Sequence, residues 1–138
     1  MLTSKNSEKS GIEMYLVDTD IIIDILRGVT GSKEFLLEIS KEGIHISTIT
    51  IAEIFSGKET RDVVKKEKIL RFLSHFNVIP IDEETALLGG EIRRDYQVGI
   101  ADALIATTTL RNGLAIVTYN TKHFEKISGI NILKPSYR

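Results

Sequence analysis

The chain has 138 residues, 42% hydrophobic and 27% charged, which is the size and balance of one globular domain with a self-standing core rather than of two domains. It has no cysteine, which excludes disulfide scaffolds, thiol catalysis and cysteine zinc sites. With 18 Lys and Arg against 19 Asp and Glu, the net charge is −1, so a protein that coats nucleic acid through bulk positive charge is not expected.

Residues 1–13 are rich in Ser, Lys, Asn and Glu and carry no apolar stretch of a secretory signal. They read as a flexible tail, or as a start ahead of Met14, with residues 14–138 as one domain. The apolar runs, such as Ile21-Ile22-Ile23 and Ile25-Leu26 on either side of Asp24, fall far short of the ~20 residues of a membrane helix. A soluble, cytoplasmic protein with no membrane partner is expected.

From Met14 onward, apolar runs alternate with segments of helical period. Met14-Tyr15-Leu16-Val17 predicts a strand ending at Asp18, followed by a short helix over residues 19–27 stopped by Gly28 and Gly31. A second helix fits residues 32–41, where Phe35, Leu36 and Ile39 share a face and Gly43 ends the pattern. Ile44-His45-Ile46-Ser47 alternates like a strand, and a helix opens at Thr50. Residues 59–76 predict one further helix, with Val63, Ile69, Leu70, Phe72 and Leu73 as its apolar stripe. Asn77-Val78-Ile79-Pro80 is a brief strand, and Asp82 caps a helix to about Arg94. A helix over residues 101–111, the turn Asn112-Gly113, a strand over residues 114–118 and a last strand over residues 130–133 close the pattern. Strands separated by helices in this order predict a three-layer α/β/α fold with a central, mainly parallel sheet of four to five strands.

The informative feature is where the carboxylates fall. Asp18 directly follows the first strand, Glu53 lies a few residues after the second, Asn120 follows the strand at residues 114–118, and Asp102 opens a helix after the loop-like Val98-Gly99-Ile100. Ligands of open parallel sheets bind outside the carboxyl ends of the strands, so these four residues converge on one rim. Three gathered carboxylates repel one another unless a cation neutralises them. An oxygen-only set suits Mg²⁺ or Mn²⁺, and no cluster of His accompanies it to favour zinc. Each residue has a plainer explanation. Thr50 and Glu53 fit a capping box, Asp18 and Asp102 fit helix caps, Asp20 suits the positive end of a helix dipole, and Asn120 fits a turn. Capping alone does not place them at the same end of successive strands, and that joint placement favours a site.

Four segments carry a family resemblance: Val17-Asp18-Thr19-Asp20-Ile21, Ile46-Ser47-Thr48-Ile49-Thr50-Ile51-Ala52-Glu53, Gly99-Ile100-Ala101-Asp102-Ala103-Leu104-Ile105-Ala106 and Val117-Thr118-Tyr119-Asn120-Thr121-Lys122-His123-Phe124. In this order the chain resembles the PIN-domain ribonucleases, and among them the VapC-type toxins of toxin–antitoxin pairs. The resemblance implies that Asp18, Glu53 and Asp102 are catalytic, metal-binding acids. It puts Asn120 where many relatives have Asp and others Asn, and Asp20 where relatives often have Asn or Ser. One or two metals, with Asp20 and Asn120 acting directly or through water, are both left open. Thr19 and Thr118 are expected as supporting neighbours. The implied reaction is Mg²⁺- or Mn²⁺-dependent hydrolysis of RNA phosphodiesters to 5′-phosphate and 3′-hydroxyl ends. The implied partners are RNA, a second copy of the chain in a homodimer and a VapB-type antitoxin.

His123, beside Phe124, is expected to close a turn and pack, and His45 and His75 to be structural. The basic run Lys58, Arg61, Lys65, Lys66, Lys68 and Arg71 stands against Glu59, Asp62 and Glu67. It reads first as a solvated helix face. Because it follows Glu53, Lys58, Arg61 and Lys65 are also candidate contacts for RNA or antitoxin. Setting Asp18, Asp20, Glu53 and Asp102 aside as metal-facing leaves 15 acids against 18 bases, so near-neutrality does not exclude an RNA substrate.

Two rival functions stand beside this one. Asp18-Thr19-Asp20 after an apolar strand also resembles the opening motif of haloacid-dehalogenase phosphatases, with Asp18 as nucleophile. Those enzymes need a later acidic pair, and the last rim position here offers Asn120. A non-catalytic PIN-like module that binds RNA or protein is the second; keeping Asp18, Glu53 and Asp102 together opposes it.

Overall fold

Five short strands form the sheet: β1 (Tyr15–Val17), β2 (Ile44–Ser47), β3 (Asn77–Ile79), β4 (Ala115–Val117) and β5 (Asn131–Leu133). Their order is β3-β2-β1-β4-β5 and every neighbouring pair is parallel. The computed structural model describes residues 14–138, and the expectation for residues 1–13 lies outside the described residues. Parallel neighbours need crossovers, and seven helices supply them among the described residues: α1 (Thr19–Leu26), α2 (Ser32–Ile39), α3 (Thr48–Phe55), α4 (Val63–Leu73), α5 (Glu83–Tyr96), α6 (Ile100–Arg111) and α7 (Thr121–Phe124).

Strand side chains alternate between faces, and two cores result. Val17, Ile44, Ile46 and Val117 face Ile21 and Ile22 of α1, Leu36 of α2, Ile54 of α3 and Ile69 and Leu73 of α4. Leu16 and Ile116 face Ile105 and Ala106 of α6 and Phe124 of α7. Leu16, Val17, Ile116 and Val117 are all at most 1% exposed. Coverage of both faces at the centre of the sheet explains why β1 and β4 read as apolar runs rather than as alternating ones. The expected three-layer architecture is the one that forms.

Three expectations are corrected. The helix predicted over residues 59–76 is interrupted: Lys58–Arg61 is a 3-10 turn, and Asp62 adopts an extended conformation. The Asp62 carboxylate accepts from Val64 N and Lys65 N and so starts α4 anew. The Thr50–Glu53 capping box does not form, because α3 begins two residues earlier with Ser47 as its N-cap, accepting from Ile49 N. Asp102 is not a cap either; Gly99 holds that position and Asp102 lies in the first turn of α6. Both acids are thereby released for other work. Asp18 does cap α1, its Oδ1 accepting from Thr19 N at 2.8 Å.

His45 alternates away from Ile44 and Ile46 and pairs in register with Leu16. Both of its ring nitrogens are buried with no hydrogen-bond partner among the described residues, and burial holds its pKa below the ordinary 6.5. Folding therefore favours the neutral ring. That contribution is complete above pH 6.5 and is lost as the pH falls below it. Wild type is expected to lose more thermal stability between pH 7 and pH 5 than a His45→Leu variant. Parallel melting curves over that interval would contradict it.

Candidate active site

The carboxyl ends of β1, β2 and β4 share one edge of the sheet, and the chain turns directly from strand into loop or helix at each. Asp18 N donates to Val117 O at 2.9 Å, which extends the β1–β4 ladder by one residue and fixes the Asp18 backbone beside the end of β4. The Asp18 side chain is buried, with Thr19 N on Oδ1 and the Thr118 hydroxyl on Oδ2 at 2.7 Å. Thr118 is fully buried and its oxygen also accepts from Asn120 N at 2.9 Å. One hydroxyl thus sets both the first acid and the loop that carries Asn120.

Thr19 links the next pair of elements. Its hydroxyl donates to Glu53 Oε1 at 2.5 Å and lies 3.0 Å from the Thr50 hydroxyl, which can donate to it in turn. Asp18 and Glu53, 35 positions apart in sequence, are therefore oriented by the backbone and side chain of a single residue. Asp20, in the first turn of α1, accepts from Tyr119 N at 3.1 Å through Oδ2, while its Oδ1 is buried with no partner.

The electrostatics follow from this crowding. Burial, the Asp20 carboxylate and the Asp102 carboxylate push the Asp18 pKa up to about 7, against the pull of its Thr118 and Thr19 hydrogen bonds. Burial likewise raises Asp20 above the usual carboxylate range. Asp102 faces this group from α6 and also lies against His123, whose Nδ1 is 2.8 Å from Asp102 Oδ2, a contact that needs a proton on that nitrogen. This corrects the expectation that His123 packs: its side chain is 55% exposed and grips an acid, while Phe124 alone enters the core.

The structure thus brings Asp18, Asp20, Asp102 and the Thr118–Asn120 loop together, with Glu53 joined through Thr19. Among the described residues, no three acidic or histidine side chains converge closely enough to enclose an ion. The donor chemistry nevertheless fits a hard divalent cation. Every candidate ligand is an oxygen, Asp20 Oδ1 is buried with no hydrogen-bond partner among the described residues, and the Asp18 carboxyl is crowded by those of Asp20 and Asp102.

Of the basic residues, Lys65 and Lys68 line a groove of about 360 Å³ between α1, α3 and α4, together with Arg27 and Glu53. Its apolar lining includes Ile23, Leu26, Ile54 and Ile69. Lys58 and Arg61 lie on the adjoining 3-10 turn. Sequence reasoning gave no site role to Thr50, Asp24, Tyr119, Tyr137 or Arg138. The i, i+4 spacing of Asp20 and Asp24 on α1 is a signal for Asp24 alone; Tyr137 and Arg138 reach it across 113 and 114 positions.

A parallel α/β sheet with carboxylates gathered at the carboxyl ends of its central strands holds them where ligands of such sheets bind. The PIN domain family model matches residues 15–130, and the chain belongs to the PIN domain family. It is 34% identical over 117 residues to ribonuclease VapC10 of Mycobacterium tuberculosis, covering 80% of this chain and 86% of the relative. To the tRNA(fMet)-specific endonuclease VapC of Shigella flexneri it is 28% identical over 123 residues, covering 84% and 93%. Among solved structures, a toxin–antitoxin complex from Klebsiella pneumoniae superposes with a TM-score of 0.76 at 31% identity, covering 88% of this chain and 98% of that one. The family match displaces the haloacid-dehalogenase alternative.

Proposed function

We propose that this protein is a divalent-metal-dependent endoribonuclease, the toxin of a VapBC-type pair, which cuts RNA at the rim formed by Asp18, Glu53, Asp102 and Asn120. One observation carries it: a buried carboxyl at the end of β1, crowded by Asp20 and Asp102, with the buried Asp20 Oδ1 left without a hydrogen-bond partner among the described residues. Ribonuclease relatives supply the reaction class.

Asp18, Asp102 and Glu53 would hold Mg²⁺ or Mn²⁺, with Asp20 and Asn120 as further oxygen ligands, directly or through water. A divalent ion in such a site lowers the pKa of water and offsets charge on the phosphate. The chain's own part is positioning. Thr118 and Thr19 N orient Asp18, the Thr19 hydroxyl orients Glu53, and His123 steadies Asp102. Nearly all of these donors are threonine hydroxyls and backbone amides, which direct carboxylate lone pairs without cancelling the charge that attracts the metal. No side chain has to act as nucleophile, which accords with the absence of cysteine.

The partners are RNA, a cognate VapB-type antitoxin and a second copy of the chain, in the cytoplasm; among the described residues, no helix is long and apolar enough to cross a membrane. The groove lined by Arg27, Lys65 and Lys68 opens beside Glu53 and would take a polyanionic strand along its basic wall. Joint replacement Lys65→Glu and Lys68→Glu is expected to raise KM for RNA about tenfold and to flatten its salt dependence, with a smaller effect on kcat. An unchanged KM would remove the groove from the substrate path.

The function is tested by incubating total RNA with the purified protein in Mg²⁺ or Mn²⁺, with and without EDTA. Cleavage that EDTA abolishes is the expected result. RNA that is bound and left intact in either metal would establish the non-catalytic binding module instead.

A further inference from the structure

Tyr137 and Arg138 pack against Asp24 and Tyr119, beside the acidic rim. Tyr137 donates its hydroxyl to Asp24 Oδ2 at 2.6 Å, and Arg138 reaches the same oxygen with Nη2 at 2.8 Å and Nε at 3.0 Å. The Arg138 guanidinium lies 4.3 Å above the centre of the Tyr119 ring, and Arg138 N donates to the Tyr119 hydroxyl at 3.0 Å. Tyr119 also meets the Tyr137 ring edge-on at 5.3 Å, and Tyr137 in turn packs on Phe35 of α2. Gly31 makes room for this, since a Cβ there would stand 3.0 Å from Tyr137 Cβ.

The cluster leads inward. Tyr119 is the residue whose backbone N–H holds Asp20 Oδ2, and it directly precedes Asn120. Asp24, the anchor, sits one helical turn after Asp20 on α1. A planar, forked cation fixed by a carboxylate and stacked on an aromatic face is a rigid clamp, which a flexible ammonium does not reproduce.

We propose that Arg138, anchored by Asp24 and Tyr137, is a positioning residue for the acidic rim: it presses Tyr119 into place and so fixes Asp20 and the Asn120 loop for the incoming metal. The proposal rests on the assignment of the rim as the metal site. It makes a prediction opposite in sign to simple electrostatics. Arg138 is a cation near Asp20, so charge alone says that its removal tightens divalent binding, whereas loss of the clamp weakens it.

The test is titration of the metal-free, full-length protein with Mn²⁺, following free Mn²⁺ by electron paramagnetic resonance, for wild type, Arg138→Ala, Arg138→Lys, Asp24→Asn and Asp18→Asn. Arg138→Ala and Asp24→Asn are expected to weaken Mn²⁺ binding about tenfold, as losses of a ligand's supporting contacts do. Arg138→Lys, which keeps the charge and is the mildest change to the fold, is expected to recover little of it. Mn²⁺ binding by Arg138→Ala or Arg138→Lys as tight as wild type, or tighter, overturns the clamp. Asp18→Asn separates the two ideas. If it binds Mn²⁺ like wild type, the rim assignment itself fails and the proposal with it; if it loses Mn²⁺ while the Arg138 variants do not, only the clamp fails.

Discussion

Asp18→Asn is expected to make the metal-free protein more stable at neutral pH while reducing RNA cleavage about 1,000-fold. The two effects have one cause. In the folded chain the Asp18 carboxyl is pushed from its ordinary 3.8 up to about 7 by burial and by its acidic neighbours. A raised carboxyl favours the protonated fold, so its contribution is complete below pH 3.8 and is lost as the pH rises through about 7. At pH 7 the metal-free wild type therefore bears the cost of keeping a carboxyl that would ionise fully in water only half ionised in this site, a cost the amide lacks, on the order of 2–4 kcal/mol. Asn keeps the shape and an oxygen for Thr19 N, and its amide can donate to the Thr118 oxygen. Denaturant melts of both proteins without metal should therefore diverge as the pH rises from 4 to 7, with the variant the more stable. The same substitution removes the charge that draws a divalent ion, and electrostatic contributions of this kind to a transition state are worth factors of 100 to 1,000 or more. A variant less stable than wild type at pH 7 would show that Asp18 is held by structure rather than strained for function.

Thr118→Val is the second large effect. The replacement is close to isosteric, and it deletes the hydroxyl that donates to Asp18 Oδ2 at 2.7 Å and accepts from Asn120 N at 2.9 Å. Because the site is fully buried, water does not substitute freely for the lost oxygen, and an unpaired group there costs about 1–3 kcal/mol. Metal affinity and cleavage are expected to fall about 10- to 100-fold together, the range seen when a ligand loses the group that orients it. Thr118→Ser, which restores the hydroxyl, is expected to recover most of both. Equal defects in the Val and Ser variants would point to packing rather than to the hydrogen bonds.

The architecture was legible because it rests on local patterns. Apolar runs bounded by polar turns mark buried parallel strands, and each of the five appeared within about a residue of its place. The rim was legible for a related reason: position after a strand is a property of the sequence, and in a parallel sheet it becomes proximity. Helix starts were harder where two caps competed. Ser47 takes the start of α3 from Thr50, and Asp62 opens a new helix inside the segment whose pattern predicts a single one. Periodicity cannot register a one-residue change of backbone direction.

Contacts that join distant residues left no local trace. The grip of His123 on Asp102 spans 21 positions, and that of Arg138 on Asp24 spans 114. His123 next to Phe124 looked like a packing pair because neighbours in sequence suggest a shared face. Here the turn at α7 sends Phe124 into the core and His123 back toward α6. The net charge of −1 conceals a similar convergence: four of the 19 acids, Asp18, Asp20, Glu53 and Asp102, gather at the rim, while Arg27, Lys65 and Lys68 stand together along the groove beside Glu53.

The central claim is that residues from separate elements act as one metal-dependent cutting site. Cleavage of a single RNA substrate in Mg²⁺, measured for wild type, Asp18→Asn, Glu53→Gln and Asp102→Asn under identical conditions, tests it most directly. All three variants are expected to lose cleavage by at least about 100-fold while still binding the RNA. Cleavage at the wild-type rate by the three variants would contradict it.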